Sequence, residues 1–169
     1  NRRIGLGIMG LVDKLFLLKL SYNSEESRKA ETDAVQTIQE TVIEYSRFLG
    51  KDKGNFPNFE KSIWRKKYDS MRNASLTNVA PTGSTSMLFD VSSGVEPYFE
   101  LSYRWGNSTI GKMEPFVKHL KKALQDANCF SDEIMEQVLT DGTLQTVTCV
   151  FYEIKKVFVT SLDITAEDH

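Results

Sequence analysis

Cysteine is scarce: Cys129 and Cys149 are the only two in 169 residues. Two thiols do not make a disulfide scaffold, and neither stands in a CxxC or Cys/His metal spacing. Histidine is equally rare. His119 and His169 cannot complete any familiar zinc pattern. Such cysteine usage fits a reducing, cytoplasmic compartment. Excess positive charge is also missing, since the formal net charge is −2. Duplex nucleic acid demands a basic face, and the one basic run, Arg65-Lys66-Lys67 between Trp64 and Tyr68, reads as a solvated helix face. No apolar run approaches the roughly 20 residues that span a bilayer, and no signal-peptide pattern opens the chain. The expected partners therefore include neither nucleic acid nor membrane. Asn73-Ala74-Ser75 and Asn107-Ser108-Thr109 match glycosylation sequons, which nothing else supports. Asn1-Arg2-Arg3 and Ala166-Glu167-Asp168-His169 both read as cut ends, the second as the opening of a helix, where acids are favoured.

What is present is ordinary for a soluble globular domain: 40% hydrophobic and 26% charged residues, enough for one core. Ile4, Ile8, Leu11, Leu15 and Leu18 recur at helical spacing. After a polar break, Asn23 or Ser24 caps a second helix with Glu25 and Glu26 in its first turn. Ala30, Ala34, Ile38, Val42, Tyr45 and Leu49 form its stripe, with Gly50 as its stop. Gly54-Asn55-Phe56-Pro57-Asn58-Phe59 reads as a loop with buried aromatics, and Asn58 caps a short helix to about Tyr68. Residues 75–80 read as a short strand halted by Pro81, and Tyr98–Trp105 as another. Pro115 starts a helix with Phe116, Leu120, Leu124 and Ala127 inward. Ser131 caps the next, which buries Ile134, Met135, Val138 and Leu139 and stops at Gly142. Val157-Phe158-Val159-Thr160 is the expected buried strand of the tail. No repeat or linker interrupts the chain, so residues 1–169 read as a single, helix-rich α/β unit.

Two glycine-bearing segments invite a ligand. Gly5-Leu6-Gly7-Ile8-Met9-Gly10 satisfies GxGxxG, and Glu25 and Glu26 follow at about the expected distance. A dinucleotide fingerprint, however, needs a strand that ends at the glycine turn, and only four residues precede Gly5. Small residues for close helix packing are the favoured reading. The second segment is Ala80-Pro81-Thr82-Gly83-Ser84-Thr85-Ser86-Met87. Successive backbone N–H groups and hydroxyls in such a turn can cradle an anion, and glycine admits positive φ and close approach. It holds no lysine and is no P-loop. Composition alone leaves a plain Ser/Thr turn as good a reading as a phosphate cradle.

The surrounding motifs weigh that choice. Arg72-Asn73-Ala74-Ser75-Leu76-Thr77 precedes the loop, and Ser92-Ser93-Gly94-Val95-Glu96-Pro97 follows it. With the opening residues 1–10 and the segment 54–59, this order resembles the ribonucleotide reductase large subunit. The glycines of Pro-Thr-Gly and Ser-Ser-Gly favour the adenosylcobalamin-dependent class. The resemblance is strong over residues 1–105 and looser over 157–169.

It implies part of a ten-stranded α/β barrel in an enzyme, a ribonucleoside-diphosphate reductase, that converts ribonucleotides to 2′-deoxyribonucleotides by thiyl-radical chemistry. The implied cofactor of the parent is adenosylcobalamin, with none expected on this chain alone. The implied partners are a ribonucleoside di- or triphosphate, the remainder of the barrel and a thioredoxin-type reductant. By position, Thr82, Gly83, Ser84, Thr85 and Ser86 match the family's loop for substrate phosphates. The radical cysteine of the family lies in Asn-x-Cys-x-Glu, which neither Cys129 nor Cys149 fits. No catalytic residue is therefore expected here, and both cysteines read as small buried residues. Glu96 matches a family position and is read as structural. Two other readings carry their own marks: a helical interaction module would show an exposed apolar face and no anion at 82–86, and a dinucleotide fold would place a strand before Gly5.

Overall fold

The computed structural model describes residues 2–102 and 116–169. The expectations at Pro115, at Asn107-Ser108-Thr109 and at the end of the Tyr98–Trp105 strand lie outside the described residues. Six α-helices occur among the described residues: α1 (Leu11–Leu18), α2 (Glu25–Lys53), α3 (Gly83–Phe89), α4 (Lys118–Asp126), α5 (Asp132–Asp141) and α6 (Tyr152–Val157). Strand pairing among them is limited to two isolated bridges, Leu6 with Thr77 (parallel) and Ser102 with Phe116 (antiparallel). Where the sequence reads as one unit, the residues gather into two compact units. One comprises 1–8 and 29–81, the other 9–28 and 82–169.

In the first unit the opening helix expected from Ile4 onward does not form over residues 4–8. The Ile4 and Leu6 N–H groups donate instead to the Ser75 and Leu76 carbonyls at 3.1 and 2.8 Å, and the Asn78 N–H donates back to Leu6 O. Two glycines weaken a helix there by about 1 kcal/mol each, and an extended partner is at hand. Gly5 and Gly7 do serve close packing, but in an extended segment: a Cβ on Gly5 would meet the Asn78 side chain at 2.6 Å. They lie within that segment rather than after it, so the dinucleotide geometry is absent. The expected strand 75–80 is reduced to this short pairing.

α2 starts as read, with Ser24 Oγ accepting from the Ser27 N–H at 3.1 Å. Gly50 does not stop it. The helix runs on to Lys53, and Gly54, at φ +80°, follows it. A Cβ on Gly50 would come within 2.7 Å of the Met71 backbone, so its role is close approach. Val42 and Ile43 of α2 pack on Phe56, Phe59, Met71 and Leu76, with Trp64 and Tyr68 beside them. The helix expected after Asn58 is two short 3₁₀ turns, Phe59–Lys61 and Ile63–Lys66.

The second unit holds the larger core. Val12 and Phe16 of α1, Leu120 and Leu124 of α4, and Ile134, Met135 and Val138 of α5 pack with Leu144, Val147 and Phe158. Burying each such side chain contributes roughly 1.5–3 kcal/mol. Ser131 caps α5 through its Oγ, and Gly142 ends that helix at φ +74°. Residues 157–160 are buried as expected but form no strand, because their polar groups bond locally: the Thr160 N–H donates to Asp163 Oδ2 at 2.8 Å. No helix among the described residues is long and apolar enough to cross a membrane.

Candidate functional site

Residues 82–86 are not the open loop that the sequence implied. Thr82 is the N-cap of α3 and Gly83–Ser86 form its first turn, with the Ser86 N–H bonded to the Thr82 carbonyl at 2.7 Å. The five residues divide into two kinds. Thr82 Oγ1 accepts from the Gly94 N–H at 2.9 Å and pairs with Ser93 Oγ at 3.2 Å. Ser86 is buried, and its hydroxyl donates to Gly83 O at 2.9 Å. Gly83, Ser84 and Thr85, by contrast, are exposed. In the first turn of a helix the N–H groups have no intrahelical acceptor. These three residues thus combine unclaimed backbone donors with two hydroxyls in solvent.

Gly83 departs from its expected reason. It has no positive φ, and a Cβ there would meet nothing within 4 Å. Its use is confined to bare backbone at the surface.

The segment after α3 is tied down from α1. Gly10, at φ +77°, enters α1 without a side-chain cap of its own. Ser92 supplies one from 80 residues away: its Oγ accepts from the Val12 N–H at 3.1 Å, and its carbonyl accepts from the Gly10 N–H at 2.9 Å. The Ser92 N–H in turn donates to Asp13 Oδ2 at 2.6 Å. Asp13 Oδ1 accepts from the Tyr98 hydroxyl at 3.0 Å. His119 Nε2 stands 3.1 Å from the same oxygen, within ion-pair distance but without the alignment of a hydrogen bond. Asp13 is 6% exposed and Ser92 fully buried. The sequence reading passed over this cluster. Its signals were an acid inside the apolar stripe Leu11–Leu18 and a histidine beside Leu120.

The remaining residues that the sequence singled out do not join the site. Glu96 is exposed, and its N–H closes a turn on the Ser93 carbonyl. Cys129 is half-buried against the core, and burial pushes its thiol above the ordinary value, with a backbone hydrogen bond opposing in part. Cys149 is exposed, against the expectation that both cysteines are buried. A cleft of about 460 Å³ is lined by Phe16, Lys19, His119, Lys122 and Phe158 among others, and none of its lining comes from residues 82–86. Apolar side chains do stand exposed on α3, at Met87, Leu88 and Phe89. No group of three His, Cys, Asp or Glu side chains that could hold a metal ion occurs among the described residues.

Comparison with known proteins places this architecture. The fold is similar to that of a class Id ribonucleotide reductase alpha subunit from Actinobacillus ureae, with a TM-score of 0.77 and 28% identity over 94% of this chain and 27% of that one. The chain matches the family described as ribonucleotide reductase, barrel domain, over residues 1–169. It is 33% identical over 172 residues to a vitamin B12-dependent ribonucleoside-diphosphate reductase of Thermoplasma acidophilum, covering all of this chain and 22% of that protein. A like-named protein of Mycobacterium tuberculosis is 30% identical over 173 residues, with 24% of its length covered. The chain belongs to the ribonucleotide reductase family and represents its barrel domain in part. It spans about a quarter or less of the length of the curated relatives just named.

Proposed function

We propose that this chain is the part of a ribonucleotide reductase large subunit that holds the substrate's phosphates, with Thr82, Gly83, Ser84, Thr85 and Ser86 as the holding loop. The observation that carries the reading is the division within that loop. Exposed N–H groups and hydroxyls of Gly83, Ser84 and Thr85 stand on a frame fixed by Thr82 and Ser86, in a chain of this family. The substrate is a ribonucleoside diphosphate, as the names of the B12-dependent relatives favour. Fixing the phosphates positions the distant ribose, so remote binding energy serves the reacting centre.

In the parent enzyme the 2′-hydroxyl leaves as water, and a thioredoxin-type dithiol supplies the two electrons. Both compact units belong to the parent's ten-stranded α/β barrel, in the cytoplasm. Adenosylcobalamin supplies the radical starter when bound. No step through it is assigned to this chain's residues. Phosphate binding is this chain's contribution.

The test is nucleotide affinity and KM in the full-length parent. The double change Ser84→Ala with Thr85→Ala is expected to lower the affinity and raise KM, and Gly83→Val to do so further by covering the bare backbone. Unchanged values in both variants would reduce the loop to a plain turn. The 169-residue chain alone, supplied with adenosylcobalamin and a dithiol, is expected to form no deoxynucleotide.

A further inference from the structure

Among the described residues, one buried carboxylate, that of Asp13, has bonding that leads to the loop. Removing a carboxylate from water costs several kcal/mol unless its oxygens are well partnered, and Asp13 is 6% exposed on the apolar face of α1 beside Leu11, Val12, Leu15 and Phe16. Its partners come from three separate places in the second unit: Ser92 after α3, Tyr98, and His119 of α4. A core position that only needed filling would be served by an aliphatic side chain. A carboxylate held by two hydrogen bonds from separate elements sets a direction, because each bond constrains the plane of its oxygens.

That direction passes on to residues 82–86. Asp13 Oδ2 holds the Ser92 N–H at 2.6 Å. The next two residues, Ser93 and Gly94, reach Thr82 Oγ1 at 3.2 and 2.9 Å. Thr82 is the N-cap from which Gly83, Ser84 and Thr85 follow. From carboxylate to N-cap the path is therefore two hydrogen bonds joined by two peptide units and ending on the Thr82 hydroxyl. We propose that Asp13 is a positioning residue for the phosphate-holding loop: through Ser92 it fixes the 92–94 turn, which clamps Thr82 and so sets where the donors of Gly83, Ser84 and Thr85 point. Tyr98 keeps the carboxylate in that orientation, with His119 beside the same oxygen. The inference rests on the phosphate-holding reading of residues 82–86 and adds the element that gives it direction.

The test uses the full-length parent enzyme with Asp13→Asn, which keeps size and shape but places an amide where one carboxylate oxygen accepted. A lost bond to a charged acceptor weakens binding by roughly ten- to a hundredfold where the bound geometry depends on it. KM for a ribonucleoside diphosphate and the inhibition constant of inorganic pyrophosphate, which probes the phosphate loop alone, are expected to rise together by at least about tenfold. The kcat at saturating substrate should change far less, because the ribose chemistry is untouched. A merely structural role would lower the yield of folded enzyme and leave both constants unchanged in the fraction that folds, and that result overturns the proposal. So does a fall in kcat at constant KM.

If Asp13→Asn does not fold, Tyr98→Phe carries the test, since it frees one carboxylate oxygen and leaves the ring. Parallel but smaller rises in the two constants are then expected, and no change in either overturns the proposal. The double change Ser84→Ala with Thr85→Ala separates the two levels. If it raises KM while Asp13→Asn does not, the loop holds phosphate and Asp13 does not position it. If it changes neither constant, the phosphate reading fails and this inference falls with it.

Discussion

The base and the rim of the 82–94 segment obey different rules. At the base, Asp13, Ser92 and Ser86 are buried, and their polar atoms are spent on one another and on backbone groups of α1 and α3. At the rim, Gly83, Ser84 and Thr85 face solvent with no comparable bonding. A buried polar atom that loses its partner retains the full cost of its dehydration, whereas an exposed one turns to water. Substitutions at the base should therefore appear in stability, with Asp13 also passing its effect to the rim as a loss of affinity, and those at the rim in ligand affinity alone.

The largest effect is expected at Ser92. Ser92→Ala leaves the Val12 N–H of α1 buried without its acceptor, at a cost of about 1–3 kcal/mol, which urea unfolding of the chain would register. A loss near zero would mean that water reaches Val12 and that the base is not dry. Thr82→Val comes next, because it removes the acceptor for the Gly94 N–H and the partner of Ser93. About 0.5–1.5 kcal/mol should be lost, and Thr82→Ser should restore most of it.

At the rim the order reverses. Ser84→Ala and Thr85→Ala should each shift stability by less than about 0.5 kcal/mol. Each should nevertheless weaken nucleotide binding by the roughly 0.5–1.5 kcal/mol of a lost hydroxyl contact. A rim change that destabilises without touching affinity would erase the contrast. The smallest effect concerns the thiols, where buried and exposed again divide. Burial holds the Cys129 thiol protonated above its usual range, so at mildly alkaline pH it has less thiolate than an ordinary cysteine. A disulfide reagent is expected to label exposed Cys149 first, and Cys129 to catch up only as the pH rises further. Equal rates at all pH values would contradict that burial.

Much of this was legible before the fold. The caps at Ser24 and Ser131, the stop at Gly142 and the inward faces of Leu120 and Leu124 follow from local rules of spacing and capping. The order of separate motifs, from residues 1–10 to Ser92–Pro97, was enough for the family. Two of the misses share a cause, a partner far along the chain. Residues 4–8 have helical spacing but pair with residues 75–78. Gly50 looks like a stop and is instead the place where Met71 passes too close for a Cβ. Gly83 looks like a residue chosen for positive φ, yet it lies in a regular first turn.

The sequence by itself determined the family, the helix-rich composition and the segment from Thr82 to Ser86 as the place to look, because those are written in local periodicity and in motifs read along the chain. Only the tertiary structure decided which of those five residues are framework and which face solvent, and that Asp13 is bonded to Ser92 in the segment that reaches Thr82. An acid in an apolar stripe shows that something must satisfy it. Which groups do so, and in which direction they hold it, is settled only when Ser92, Tyr98 and His119 are brought to within 2.6, 3.0 and 3.1 Å of its two oxygens.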